Sequence, residues 1–316
     1  MGVGVRCGLP SGAMGTRELI EHLGASVVGR RREIELVVAA LMADRHILLE
    51  GPPGTGKSTL LREVANELGV GFEFVEGNAE LTPARLIGHF DPARVLADGY
   101  DADVFVDGPL VRALRAGSLL YIEELNRVPE ETLNVLVTVM SERETHVPRL
   151  GRVGAAAGFR LVAAMNPFDA IGTARISSAI YDRMCRLAVD YQTLDEERAI
   201  TNRRSGDAPI LDRAVELTRR TRSHADLRMG SSVRGAIDLV AMARTLADVR
   251  GEPMESPGVS LDAALVALTG RVRVREGSSR TAEEIVTELW RAVFQPRPDT
   301  EGDQAGKVTA PAGAPT

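Results

Sequence analysis

Apolar and polar positions follow two different rhythms along this chain. Up to about residue 193, strands are expected at 46–50, 72–76, 118–123, 159–165 and 185–191, and segments of helical period separate most of them. Thr16 to Met42 carries a helical pattern broken near Val27-Val28-Gly29-Arg30. Thr59 to Leu68 is apolar at 60, 61, 64, 65 and 68, one face of a helix. Strands alternating with helices predict an α/β domain, with a parallel sheet covered on both faces. Beyond residue 193 the strand signal stops. Helices are expected at 194–204, 210–222, 231–249, 261–274 and 281–294, and Val233, Ala236, Ile237 and Val240 mark a buried face. Trp290, with Ile285, Val286, Leu289 and Phe294, reads as the core of the last helix. The boundaries expected are a flexible segment at 1–16, an α/β domain at 17–192, a helical domain at 193–294 and a disordered tail at 295–316.

Chemistry enters between the first strand and its helix. Gly51-Pro52-Pro53-Gly54-Thr55-Gly56-Lys57-Ser58 satisfies G-x-x-x-x-G-K-[ST] in full, with Thr59 opening the helix behind it. A strand, a Gly-rich turn and a helix N-terminus form a phosphate cradle. Its backbone N–H groups turn inward, Lys57 reaches the outer phosphates, and the Ser58 hydroxyl can ligate Mg²⁺. Composition sharpens this. Lysine occurs at 57 and 307 alone, and every other basic residue of the 38 is arginine. A compact ammonium fits between phosphates where a planar guanidinium does not. ATP and Mg²⁺ are therefore the expected cofactors.

The bulk numbers narrow the classes. A net charge of −6 argues against broad nucleic-acid binding, and 4% aromatic residues leave little for base stacking. The two cysteines, Cys7 and Cys185, form no metal-spaced cluster and no disulfide framework. No apolar run approaches a membrane span, and Met1 to Gly15 lacks the apolar core of a signal peptide. The cytoplasm is the expected compartment.

Three further strand ends carry candidate chemistry. Ser118 to Ile122 leads into Glu123-Glu124. The first carboxylate is assigned to Mg²⁺ and the second to orienting or deprotonating the attacking water. The apolar run 159–165 ends in Asn166-Pro167. That dipeptide alone is a turn signal, but after a third core strand the Asn166 amide is placed to hold the attacking water. Arg183, in Ala179-Ile180-Tyr181-Asp182-Arg183, is a candidate arginine finger for a neighbouring subunit. Arg234, in Gly230-Ser231-Ser232-Val233-Arg234, is a candidate phosphate contact from the second domain. For each arginine the plainer reading is a solvated surface residue.

The order of these elements resembles an AAA+ ATPase. Gly108-Pro109-Leu110, Glu123-Glu124-Leu125-Asn126-Arg127 and the run Leu136 to Arg143 resemble its MoxR branch more narrowly. The resemblance spans residues 25–250. It implies a P-loop αβα sandwich followed by a smaller all-helical lid domain. It also implies a homo-oligomeric ring, usually hexameric, with nucleotide bound between subunits. Lys57 and Ser58 become Walker A, Glu123 and Glu124 Walker B, Asn166 sensor 1, Arg183 the trans finger and Arg234 sensor 2. Val28 and Gly29 would lie near the adenine, and 86–107 and 145–158 would be insertion loops facing the pore or a partner. Relatives of this kind act as remodelling or enzyme-maturation factors, commonly with a von Willebrand factor A domain partner and a protein client. One departure stands out: Glu123 occupies a place usually held by aspartate. An extra methylene moves the carboxylate by more than about 1 Å, which makes slow hydrolysis an expectation. Two other readings stay open. One is a nucleic-acid-directed motor, for which Arg219-Arg220-Thr221-Arg222 and Arg271 to Arg275 are the available basic clusters. The other is an ATP-binding scaffold that hardly hydrolyses.

Overall fold

Residues 15–167 and 176–295 are described by the computed structural model. The segments expected at 1–16 and 295–316 lie almost entirely outside them, as do Cys7 and Lys307. The chain divides into one unit ending at Arg203 and a second beginning at Arg204.

The first unit is built on five strands: β1 (His46–Glu50), β2 (Phe72–Glu76), β3 (Leu119–Glu123), β4 (Arg160–Met165) and β5 (Met184–Ala188). They form one sheet in the order β2-β3-β4-β1-β5, and every pairing is parallel. Alternate residues of the central strands feed opposite faces. Leu48, Leu120, Ile122, Leu161 and Ala163 join a cluster with Leu110, Leu114, Leu133 and Leu136. Ile47, Leu49, Leu119, Tyr121, Val162 and Ala164 join another with Leu23, Ile34, Val38, Leu60 and Val64. Because helices cover both faces, these strands are apolar along their length rather than alternating.

Helices Thr16–Ser26 and Arg31–Met42 flank a break at 27–30, where the sequence pattern places it. Helix Lys57–Leu68 ends on the left-handed Gly69, which supplies the positive φ of a C-terminal cap. The segments expected as insertion loops carry ordered elements. Gly88–Phe90 pairs antiparallel with Phe105–Asp107, and Glu144–Val147 with Gly151–Gly154. The strand expected to run to residue 191 stops at Ala188.

The second unit is helical, with Leu211–Ser223, Val233–Arg250, Pro257–Leu268 and Ala282–Phe294. Helix Leu194–Ser205 leads into it. Trp290 is buried and donates its indole N–H to Ser260 Oγ at 3.2 Å. The helix expected over 261–274 is shorter than that. It ends at Leu268, and Arg273–Val274 pairs antiparallel with Leu227–Met229. Val272 and Val274 are β-branched residues that suit a strand, but the helical pattern of the preceding residues runs straight into them. No helix among the described residues is long and apolar enough to cross a membrane.

Candidate functional site

The site is built at the carboxyl ends of β1, β4 and β3, where an open parallel sheet presents its loops. β1 runs into Gly51, whose N–H donates to Met165 O at 3.1 Å. A Cβ on Gly51 would lie 1.9 Å from Val189 O, so only glycine lets the chain turn here. Gly54 and Gly56 hold φ of 74° and 81°, a region that costs glycine nothing and other residues strain. Pro52 and Pro53 leave the backbone of the turn little freedom.

Lys57 opens the following helix. Its ammonium donates to Gly51 O at 2.9 Å and Pro52 O at 2.8 Å, and stands 3.4 Å from Thr55 Oγ1. Thr55 Oγ1 in turn donates to Pro52 O at 3.0 Å. Thr59 is exposed on the first helical turn. Buried Arg30 ties the loop to its surroundings, donating to Thr55 O at 2.8 Å and Asp190 O at 2.6 Å. Val28 and Gly29 sit in the turn just before it, so Arg30 couples that turn to the phosphate loop. In the sequence Arg30 only closes the break at Val27-Val28-Gly29-Arg30; its contacts with Thr55 and Asp190 depend on the fold.

Ser58 meets the second motif directly. Its hydroxyl donates to Glu123 Oε1 at 2.9 Å and lies 3.2 Å from the Tyr121 hydroxyl. The longer Glu123 side chain therefore reaches the serine at ordinary hydrogen-bond length. Tyr121 is fully buried beside Phe72 and Phe74 of the neighbouring strand, each ring centroid 5.8 Å away. Burial, with Glu123 beside it, holds its hydroxyl well above the usual tyrosine range. Tyr121 reads as core in the apolar run 118–122, which hides its polar tip.

Glu124 takes φ 54°, ψ 46°, left-handed for a non-glycine residue, and its carboxylate pairs with Arg127 at 3.1 Å. Such a backbone costs about 1–3 kcal/mol and persists where the surroundings enforce it. Gly77 supplies part of that enforcement. Its N–H donates to Glu123 O at 2.7 Å, and a Cβ there would meet Glu124 O at 2.5 Å. Asn166 follows β4, level with Gly51 through the register Glu50↔Met165. Its carbonyl accepts from Asn126 Nδ2 at 3.4 Å, which sets it beside the acidic turn. The phosphate loop, Ser58, Glu123, Glu124 and Asn166 thus share one end of the sheet.

Of the two arginines, Arg183 lies at the other end of the same sheet. Arg183 precedes Met184, which pairs with His46 at the opposite end of β1. Its guanidinium donates to Ser141 Oγ at 2.6 Å and Ala179 O at 2.9 Å. Arg234 lies in the first turn of helix Val233–Arg250, exposed, in the second unit. Glu50, which in sequence reads as the end of a strand, is a buried carboxylate. It accepts from the Tyr181 hydroxyl at 2.9 Å and pairs with Arg186, the partners a buried charge requires.

A phosphate loop, an acidic strand end beside its serine, and a polar residue closing the strand between them define a P-loop ATPase domain. Comparison with known proteins agrees. Residues 46–184 match the family described as AAA domain (dynein-related subfamily). An uncharacterised protein of Staphylococcus epidermidis is 30% identical over 216 residues, covering 66% of this chain and 81% of the relative. YeaC of Bacillus subtilis, also uncharacterised, is 27% identical over 259 residues, covering 72% and 77%. Among solved structures, a candidate ATPase from Cytophaga hutchinsonii superposes with a TM-score of 0.50 at 20% identity, covering 87% of this chain and 93% of that one. A variant of Thermotoga maritima RuvB gives 0.52 at 21% identity, covering 77% and 71%. These two structures are similar in fold. Residues 46–184 of the chain carry a domain of the AAA family.

Proposed function

We propose that this protein hydrolyses ATP with Mg²⁺ and uses the cycle to remodel or mature a protein client, as a cytoplasmic factor of MoxR type. In this reading it works as a hexameric ring with a von Willebrand factor A domain partner. The observation that carries the nucleotide reading is the Ser58–Glu123 contact at the mouth of a complete phosphate loop. The metal-facing donors are a hydroxyl and a carboxylate, hard oxygens of the kind Mg²⁺ takes while keeping most of its water. Ser58 would hold the ion directly and Glu123 through water. Bound there, it would neutralise charge on the outer phosphates.

The chain's own residues supply the rest. The loop Gly51–Gly56 presents N–H groups to the phosphates, and Lys57 exchanges its carbonyl partners for phosphate oxygens. Glu124 leaves Arg127 to orient or deprotonate the attacking water, which Asn166 helps to place. Val28 and Gly29 border the adenine. Arg183, held at the far end of its own sheet, acts on the nucleotide of a neighbouring subunit. Arg234 reports nucleotide state to the helical unit.

The pairing of Glu124 with Arg127 favours one second reading, an ATP-binding scaffold that hydrolyses slowly until a partner frees the carboxylate. A nucleic-acid motor is less well supported. Arg220 pairs with Glu216, Arg271 with Asp238, and Arg222 donates to Ser231 O, so much of the basic clusters is engaged within the chain. The test is Glu124→Gln. It should bind ATP like the unaltered protein, lose at least about 10²-fold in turnover, and retain a protein partner in an ATP-dependent pull-down. Undiminished turnover would remove Glu124 from catalysis. Recovery of no partner would count against remodelling.

A further inference from the structure

We infer that Tyr121 is a positioning residue for the metal-binding hydroxyl: it fixes Ser58 so that a single lone pair faces the Mg²⁺ position. The inference rests on the nucleotide reading above and extends it to a residue outside both Walker motifs' usual polar positions. A serine hydroxyl has one proton and two lone pairs. An ionised carboxylate only accepts, so the Ser58 proton goes to Glu123, at 2.9 Å. That leaves Ser58 no proton for Tyr121. Across their 3.2 Å contact the tyrosine therefore donates and takes one serine lone pair. One lone pair remains, in a direction set by two fixed partners.

Both partners are held. Tyr121 and Glu123 lie two apart on β3 and so point to the same face of the sheet. The tyrosine ring is fully buried. It stands opposite Phe74 in the β2–β3 register, contacts Phe72 as well, and Arg62 lies 5.3 Å from the centroid of each phenylalanine ring. With Glu123 alone, the hydroxyl could still pivot about a single hydrogen bond. The second tether removes that freedom before any ion arrives, and pre-orientation of a ligand lowers the cost of binding. A phenylalanine at 121 would keep the packing and lose only the tether.

The test uses the full chain, methylanthraniloyl-ADP as probe, and a Mg²⁺ titration of probe binding. Tyr121→Phe should melt like the unaltered protein and bind the probe equally well without Mg²⁺. It should need about three- to tenfold more Mg²⁺ for the half-maximal rise in binding, the scale of one ordinary hydrogen bond. In a Ser58→Ala background the same substitution should change nothing further, because its effect runs through Ser58. An unchanged Mg²⁺ requirement in Tyr121→Phe would overturn the inference. So would an equal effect in the Ser58→Ala background, which would make Tyr121 a packing residue. Failure of the unaltered protein to bind the probe at any Mg²⁺ concentration would remove the nucleotide reading itself, whatever the variants do.

Discussion

Replacing Glu123 by aspartate restores the residue usual at this place in AAA+ ATPases, and the structure predicts that it harms this one. Glu123 Oε1 accepts from Ser58 Oγ at 2.9 Å. Deleting one methylene withdraws the carboxylate by about 1.5 Å. The separation would pass about 4 Å, beyond a hydrogen bond. β3 cannot slide to compensate, because Gly77 N–H holds Glu123 O at 2.7 Å and the strand is paired on both sides. A hydrogen bond to a charged group contributes about 1.5–3 kcal/mol, roughly 10- to 10²-fold in rate or affinity. The loss should fall on Mg²⁺-dependent steps, since Lys57 and the loop are untouched. The assay is phosphate release across a Mg²⁺ series, with nucleotide binding in EDTA as control. Turnover in Glu123→Asp equal to or above that of the unaltered protein would show that the Ser58–Glu123 hydrogen bond does not support the Mg²⁺-dependent steps. Glutamate would then be the misplaced group, and slow hydrolysis the property of the natural chain.

Two further outcomes follow from the same geometry. His46 is buried, and its Nδ1 accepts from Leu161 N–H at 2.9 Å. Burial, with Arg143 and Arg45 nearby, lowers its pKa from 6.5 to about 4. The unfolded chain therefore binds the proton first. This contribution is whole above pH 6.5 and declines as pH falls toward 4, by about 2 kcal/mol between pH 7.5 and 5. Urea midpoints at the two pH values should show it, and His46→Asn should show a smaller loss; an identical loss would assign the effect to other groups. Gly77→Ala puts a Cβ 2.5 Å from Glu124 O. It should cost about 1–3 kcal/mol of stability and depress turnover more than nucleotide binding, whereas a neutral result in both would show that the acidic turn has slack.

Much of this architecture could be read from the pattern of residues, for a physical reason. Parallel strands covered on both faces are short and apolar along most of their length, as at 46–50, which matches its strand residue for residue; the edge strand at 72–76 also matches, although it carries Glu73 and Glu76 and is only partly buried. The phosphate loop was legible because its spacing, its glycines and its lysine all serve one geometry. Other features were hidden because they depend on partners distant in sequence. Tyr121 passes for core until Ser58 is brought to its hydroxyl. Glu50 looks like the end of a strand until Tyr181 and Arg186 close on it. Arg30 is one arginine among many until its guanidinium bridges Thr55 and Asp190. The ribbon at 273–274 does carry a signal, since Arg271 to Arg275 alternates arginine and valine with the period of a strand, but the helical pattern of the preceding residues runs straight into it.

In the proposed function ATP is hydrolysed at sites completed by a second subunit. Mg²⁺-dependent hydrolysis per subunit, measured as protein concentration rises, tests it most directly. The expected result is a steep rise that Arg183→Ala abolishes while nucleotide binding remains. A rate per subunit that is measurable and independent of concentration, and that survives Arg183→Ala, would contradict it.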